Sequence, residues 1–312
     1  MTDTGKTAFW TIFAVVFLDL LGFGLVIPIL PLYAKSYGAT PAVVGLLIAI
    51  YSAMLVLSSP ILGRISDHYG RRPVLLISIG GYAVAWILFG VGGSLLVLFL
   101  SRIIAGITGG NIAPAQAYIA DITPEEDRAD RLGLLGAAFG LGFIFGPGIG
   151  GMLSSEAAVT FARHLLPAYI PINKFSLPAF AAAALSLINF GFTLFYLPET
   201  HNQATIDKRS QIQQLRDALA EPGLRTLIIA FFIYSLAFSG MQGMFVLFTE
   251  AKFGMGTTAN GYLLSFMGVI AAVMQGAVVG KLVDRFGEKL LAQAGASLES
   301  LALILLPFTP VL

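Results

Sequence analysis

The chain has no cysteine, which excludes disulfides, thiolate metal sites and a cysteine nucleophile. Charge is also scarce. Only 11% of the residues are Asp, Glu, Lys or Arg, against 57% hydrophobic, a balance outside the range of ordinary soluble domains. The formal net charge is +1 and the cations are scattered among polar turns. No basic stripe exists to follow a phosphate backbone, so nucleic acid is excluded as a partner. The histidines, His68, His164 and His201, all fall in those turns. An intramembrane protease would need H-E-x-x-H or a serine and histidine pair inside an apolar run, so no enzymatic activity and no metal site is expected.

What the chain has instead is long apolar runs. A membrane-spanning helix needs about 20 predominantly apolar residues, and candidates run over 8–33, 41–62, 73–91, 95–119, 132–153, 177–197, 225–248, 258–279 and 290–311. The first is too long for a signal peptide, lacks a small-residue cleavage site and is followed by further spans, so it reads as a retained helix. Sorting cations by alternate loops puts Lys6, Arg64, Arg71, Arg72, Arg128, Arg131, Lys208, Arg209, Arg216, Arg225, Lys281, Arg285 and Lys289 on one side, and Lys35, Arg163, Lys174 and Lys252 on the other. The asymmetry predicts a cytoplasmic N-terminus. It also makes 199–224 a cytoplasmic linker, in which Ile212, Leu215 and Leu219 suggest a short amphipathic helix on the membrane surface.

One polar stretch organises the rest. Residues 63–73 read GRISDHYGRRP between two apolar runs. Gly63 and Gly70 would permit a tight turn and close helix approach, Arg71 and Arg72 would anchor the cytoplasmic side, and Asp67 adds an acceptor for an arginine or a helix N-terminus. The pattern returns as GKLVDRFGEK, with Gly280, Asp284 and Gly287 spaced as Gly63, Asp67 and Gly70 are. Such a repeat indicates two halves built alike, here 1–198 and 225–312.

An ionisable residue inside a span costs on the order of 3 kcal/mol, so each is a functional candidate. Asp19 in span one and Arg102 in span four lie at similar depth, and pairing would leave neither charge bare. That pair could be a working element or a static bridge. Glu299 in span nine has no cation of its own half at its depth. Burial would then favour its neutral form and suit it to carrying protons. It could also snorkel to water or serve packing alone. Span five carries GFIFGPGIGG, with Gly142, Gly146, Pro147, Gly150 and Gly151, a combination for close helix contact and a kink. Gln116, Asn189, Gln242 and Gln275 are candidates either for substrate hydrogen bonds or for interhelical glue. Phe231, Phe232, Tyr234, Phe238, Phe245 and Phe248 could line a drug cavity or face lipid. His68 is a pH sensor or a solvated turn residue.

The motif G-x-x-x-D-x-x-G-R-R/K between spans two and three resembles the signature loop of the major facilitator superfamily. LDLLGFGLVIPILP in span one, RIIAGITGG in span four and the span-five glycines are similar to motifs of its twelve-span drug:proton antiporters. GRRPVLL, GITGG, FTEAKFG and the span-nine acid are closest to the tetracycline-efflux branch. The resemblance implies an all-α polytopic fold of two pseudo-symmetric six-helix bundles rocking about a central site, with the second bundle incomplete here. A truncated twelve-span chain fits better than a natural nine-span one. Asp67, Arg71 and Arg72 with Asp284 would form a cytoplasmic gate, Asp19, Arg102 and Glu299 would couple protons, and Gln116, Phe238, Gln242, Phe245 and Gln275 would meet substrate. The expected protein is a monomeric inner-membrane exporter of a small amphiphile, driven by protons without a cofactor. The alternatives are a proton-coupled nutrient symporter, which the span-five motif disfavours, and a non-transporting receptor. The chain departs from the branch at Ala85, where tetracycline pumps carry an acid, and at His68, where arginine is common.

Overall fold

The computed structural model describes residues 3–199 and 211–309, all of them helix or connection, with no strand among them. Nine helical stretches among the described residues are long and apolar enough to cross a membrane. They coincide with the expected runs. The first is α1 (Asp3–Val26), continued after a turn by α2 (Leu30–Ser36). Pro28 and Pro31 have no N–H to donate, which interrupts the ladder there. Next come α3 (Pro41–Tyr69), α4 (Arg71–Val91), α5 (Leu95–Thr108), α6 (Ile112–Ile122), α7 (Arg128–Leu153), α8 (Glu156–Leu165) and α9 (Ser176–Tyr196). Side chains start several of them, each accepting a bond from the first turn. Thr40 accepts from Val43 N at 3.4 Å, Ser94 from Val97 N at 3.4 Å and Ser155 from Ala158 N at 3.3 Å.

Two boundaries differ from expectation. Helix α3 runs on to Tyr69, so most of the signature stretch is helical and the turn is reduced to Gly70 at φ +103°. Span four is broken at Gly109–Gly110–Asn111 into α5 and α6. Beyond residues 200–210, the part of the expected linker that lies outside the described residues, come α10 (Gln211–Ala220), α11 (Pro222–Phe253), α12 (Thr257–Val273), α13 (Val279–Phe286) and α14 (Glu288–Leu305). A π-helical turn, Met274–Val278, joins α12 to α13 within span eight.

The helices fall into two compact units, one within Met1–Ala204 together with Met255–Gly268, the other within Thr205–Gly254 and Val269–Leu312. In the first, α1 packs on α7 and α9, α4 on α5 and α9, and α3 on α5. Phe9, Ile12 and Val15 of α1, Leu75 and Ile79 of α4, Tyr118 and Ile119 of α6 and Leu135 of α7 form one buried cluster. The outward apolar side chains, such as Val56, Leu57 and Phe195, suit acyl chains, and helices satisfy their own backbone groups in that setting. In the second unit α11 buries Val246 and Thr249.

Candidate functional site

Asp19 sits in the middle of α1, 8% exposed. Its carboxylate is held by two amides. Asn189 of α9 donates to Oδ1 at 2.8 Å and also to the Val15 carbonyl at 2.9 Å, while Asn111 donates to Oδ2. Asn111 reaches it because span four is broken at that point, which turns a polar side chain towards α1. Arg102 does not pair with Asp19, contrary to expectation. Its guanidinium carbon lies instead 4.7 Å from the Trp86 ring, 5.0 Å from Phe89 and 5.9 Å from Tyr51. Its Nε and Nη2 have no hydrogen-bond partner among the described residues, so the aromatic faces provide its main stabilisation.

This geometry reverses one mutational expectation. If the two charges were partners, Asp19→Asn with Arg102→Gln would recover what each single change loses. With Tyr51 beside both Asp19 and Arg102, the two losses should couple through that neighbour, but the second change should not rescue the first. Melting temperatures of the purified variants in detergent check this. A double variant more stable than Asp19→Asn alone would restore the pair.

Beside Asp19 lies a cleft of about 220 Å³, walled by Phe23, Tyr51, Tyr82 and Phe143 with Asn111 at its edge. Phe23 stacks on Tyr51 with centroids 5.7 Å apart, Phe143 meets Phe23 edge-on at 6.4 Å, and the Tyr51 and Tyr82 hydroxyls are 3.2 Å apart. Flat rings beside one carboxylate can accept a planar amphiphile and orient its polar edge. Of the residues proposed to meet substrate, Gln116 is exposed on α6 and does not line this cleft. Phe238, Gln242, Phe245 and Gln275 belong to the second unit, Gln275 on the π-helical turn. Ala85, where an acid was absent, is fully buried.

At the junction of α3 and α4, Arg71 is 7% exposed and gathers acceptors from three elements. It donates to Asp67, to Ser66 Oγ at 3.2 Å and to Asp121 Oδ2 at 3.2 Å. The Glu199 carboxylate accepts from Arg71 N at 2.9 Å and Arg72 N at 3.3 Å, an anion on the positive end of α4. Gly70 is needed there for its φ of +103°, and a Cβ would also press on the Glu199 carboxyl, 2.7 Å from its Cδ. Gly63 makes no such contact, since a Cβ there would meet nothing within 4 Å, and its expected close approach is not found. The motif itself does not single out Asp121 and Glu199. Their signal was an acid at the end of a span on the cation-rich side. His68 is exposed beside Tyr69.

The second copy keeps the turn and loses the network. Gly287 has φ +77° and its N–H bonds the Val283 carbonyl at 2.8 Å. Glu288 stands where Arg71 does, so Asp284 has a like charge in place of a counter-ion, and it is exposed.

Span five presents its small residues to two helices. Gly142, Gly146 and Gly150 face α1, where a Cβ on Gly146 would lie 2.6 Å from Gly24 Cα and one on Gly142 2.7 Å from Leu20 Cβ. Gly151 faces α12, where a Cβ would lie 3.0 Å from Gly261 Cα. Helix α7 continues through Pro147 as one element. In that turn Ser265 of α12 donates to the Ile144 carbonyl.

Glu299 is half-buried on α14, and the Tyr234 hydroxyl of α11 hydrogen-bonds to it. Tyr234 also stacks on Phe238 at 6.2 Å, while Phe231 and Phe232 are exposed. No group of three or more His, Cys, Asp or Glu that could hold a metal occurs among the described residues.

Residues 12–312 match the family described as Major Facilitator Superfamily. The chain is 34% identical over 310 residues to the class C tetracycline resistance protein of Escherichia coli, covering 97% of this chain and 74% of that one. It is 28% identical over 319 residues to multidrug resistance protein 2 of Bacillus subtilis, covering 98% and 75%. A bacterial homologue of the human lysosomal transporter Spinster, in an inward-facing and unoccupied conformation, superposes with a TM-score of 0.72 at 16% identity, covering 92% of this chain and 64% of that one. That likeness concerns the fold.

Proposed function

The chain belongs to the Major Facilitator Superfamily, and from that premise we propose that it exports a small amphiphilic drug, tetracycline or a compound like it, in exchange for protons. It is a multi-pass membrane transporter of that superfamily. The observation that carries the finer reading is the aromatic cleft with Asp19 beside it, which offers a planar amphiphile an apolar wall and a single carboxylate. The direction of transport follows the relatives, whose names record resistance to tetracycline and to multiple drugs. The close α1–α7 seam supports it, since the span-five glycines that build it form the motif associated with antiport.

In this reading Asp19 meets the polar edge of the drug, and Glu299, oriented by Tyr234, takes up the proton that is exchanged. The N-terminus and the Asp67–Arg71 junction lie on the cytoplasmic side of the inner membrane, and the halves 1–198 and 225–312 move against each other across the linker. Each proton entering down 100 mV contributes about 2.3 kcal/mol, and each unit of pH gradient about 1.4 kcal/mol. Together they sustain a gradient on the order of several-hundred-fold for a neutral drug.

The test uses everted vesicles from cells producing the chain, acidified inside and followed with a pH-quenched acridine dye. Adding tetracycline should release protons, and Glu299→Gln should abolish that release while the variant still binds tetracycline. No drug-driven release with the chain inserted at normal abundance, with a quinolone and ethidium also inactive, would overturn the exporter reading. Full release by Glu299→Gln would remove Glu299 from coupling.

A further inference from the structure

We propose a second binding site, separate from the Asp19 cleft, for a small aromatic anion at the opposite end of the first unit from the Arg71 junction. A cavity of about 610 Å³ opens there between α2 and the segment that joins α7 to α9. It is nearly three times the volume of the central cleft, and its lining is both aromatic and charged. Tyr33 and Phe175 stack with centroids 4.7 Å apart and planes 17° off parallel, and Tyr37 leans on Tyr33 at 5.2 Å. The three rings form one wall. The Tyr37 hydroxyl fixes it further, donating to the Tyr33 hydroxyl at 3.2 Å and accepting from Gly93 N at 2.8 Å.

The lining also carries Arg163 and Lys174. Arg163 is anchored by its Nε, which donates to the Ile172 carbonyl at 2.8 Å, so the outer edge of its guanidinium is left to meet a carboxylate. Lys174 lies 5.1 Å over the Phe175 ring. Neither cation makes an ion pair among the described residues, and the one acid in the lining, Glu156, balances only one of them. The support is rigid. Asn173 Oδ1 accepts from Phe175 N at 2.8 Å and Ser176 N at 3.0 Å, and Ser176 Oγ donates to the Pro171 carbonyl at 2.6 Å, a local turn that sets both Lys174 and Phe175. A ring to lie on, a pair of cations to hold a carboxylate and a preformed backbone are what a flat organic anion requires.

The side of the membrane on which this cavity opens rests on the orientation proposed above, and the experiment separates the two. Because the chain has no cysteine, single cysteines report cleanly. Thr160→Cys lines the cavity, whereas Tyr169→Cys is highly exposed outside it. In intact cells both should react with a membrane-impermeant maleimide. 2-Naphthoate at ten times its half-saturating concentration should slow labelling of Thr160→Cys about tenfold, leaving Tyr169→Cys unaffected. The isosteric but neutral 2-naphthamide should protect neither. Adding Lys174→Gln, which breaks no hydrogen bond in the fold, should weaken the protection, and Arg163→Gln should weaken it further. If Tyr169→Cys is labelled only in everted vesicles, the orientation is wrong and the protection is read there instead. Equal protection by naphthoate and naphthamide, or none by either, overturns the anion site.

Discussion

Gly146→Leu is expected to prevent stable assembly of the first unit, whereas Gly140→Ala, on the same helix, leaves it intact. At Gly146 the first added carbon would lie 2.6 Å from Gly24 Cα and 2.8 Å from its carbonyl carbon. Both are backbone atoms, so no rotamer change relieves the clash. Restoring ordinary contact requires α1 and α7 to separate by roughly 1 Å, and leucine's further carbons demand more. Overpacking usually costs about 1–3 kcal/mol. The cost here should exceed that range, because the same shift would loosen the contacts at Gly142 and Gly150 and move Asp19 away from Asn189. At Gly140 a Cβ would meet nothing within 4 Å, and alanine improves helix propensity by up to about 1 kcal/mol. Size-exclusion after heating in detergent reads both. A Gly146→Leu protein that melts as the wild type does would mean that the α1–α7 seam is not closely packed.

The spans were legible because a bilayer imposes a length, and each apolar run meets it. What the sequence did not disclose was azimuth. Depth along a helix follows from 1.5 Å per residue, and by depth Asp19 and Arg102 belong together. Each residue also turns the side chain by about 100°, and only the neighbouring helices decide where it points. Arg102 points into Trp86 and Phe89, and Asp19 is served by Asn111. That partner was hidden because the break at Gly109–Gly110 lies inside a run that stays apolar on both sides. The same limit applies to Glu299, because spacing along the chain does not show that Tyr234, one aromatic in a row of them, turns its hydroxyl to that carboxylate.

The Arg71 junction shows a second reason. The spacing of Gly63, Asp67 and Gly70 marked the place, yet only Gly70 turned out to need glycine. Asp121 and Glu199 were invisible to a topological argument that counts lysine and arginine and gives acids little weight. They come from the ends of spans four and six, and no local pattern ties them to residue 71. The repeat of Gly280, Asp284 and Gly287 carries the turn at Gly287, but with Glu288 in place of Arg71 the ion network is not repeated with it.

Arg71→Gln should be the most damaging polar substitution at that junction. The guanidinium is 7% exposed and neutralises Asp67 and Asp121, which come from different helices. Without it two carboxylates face each other with no counter-ion. Breaking a buried ion network typically costs about 3–5 kcal/mol. Asp67 keeps part of its surface in water, so the lower end, about 3 kcal/mol, is expected here. Glu199 should hold through the change, because its bonds run to the backbone N–H groups of residues 71 and 72. Removing one of the facing charges, as in Arg71→Gln with Asp121→Asn, should recover part of the loss. Arg71→Lys should recover less, because one ammonium cannot reproduce a fork that sends Nε to Asp121 while Nη1 serves Asp67 and Ser66. Melting temperature and membrane abundance of the four proteins should therefore rank wild type, double variant, Arg71→Lys and Arg71→Gln. An Arg71→Lys protein as stable as the wild type would show that a point charge suffices and that the fork geometry contributes nothing.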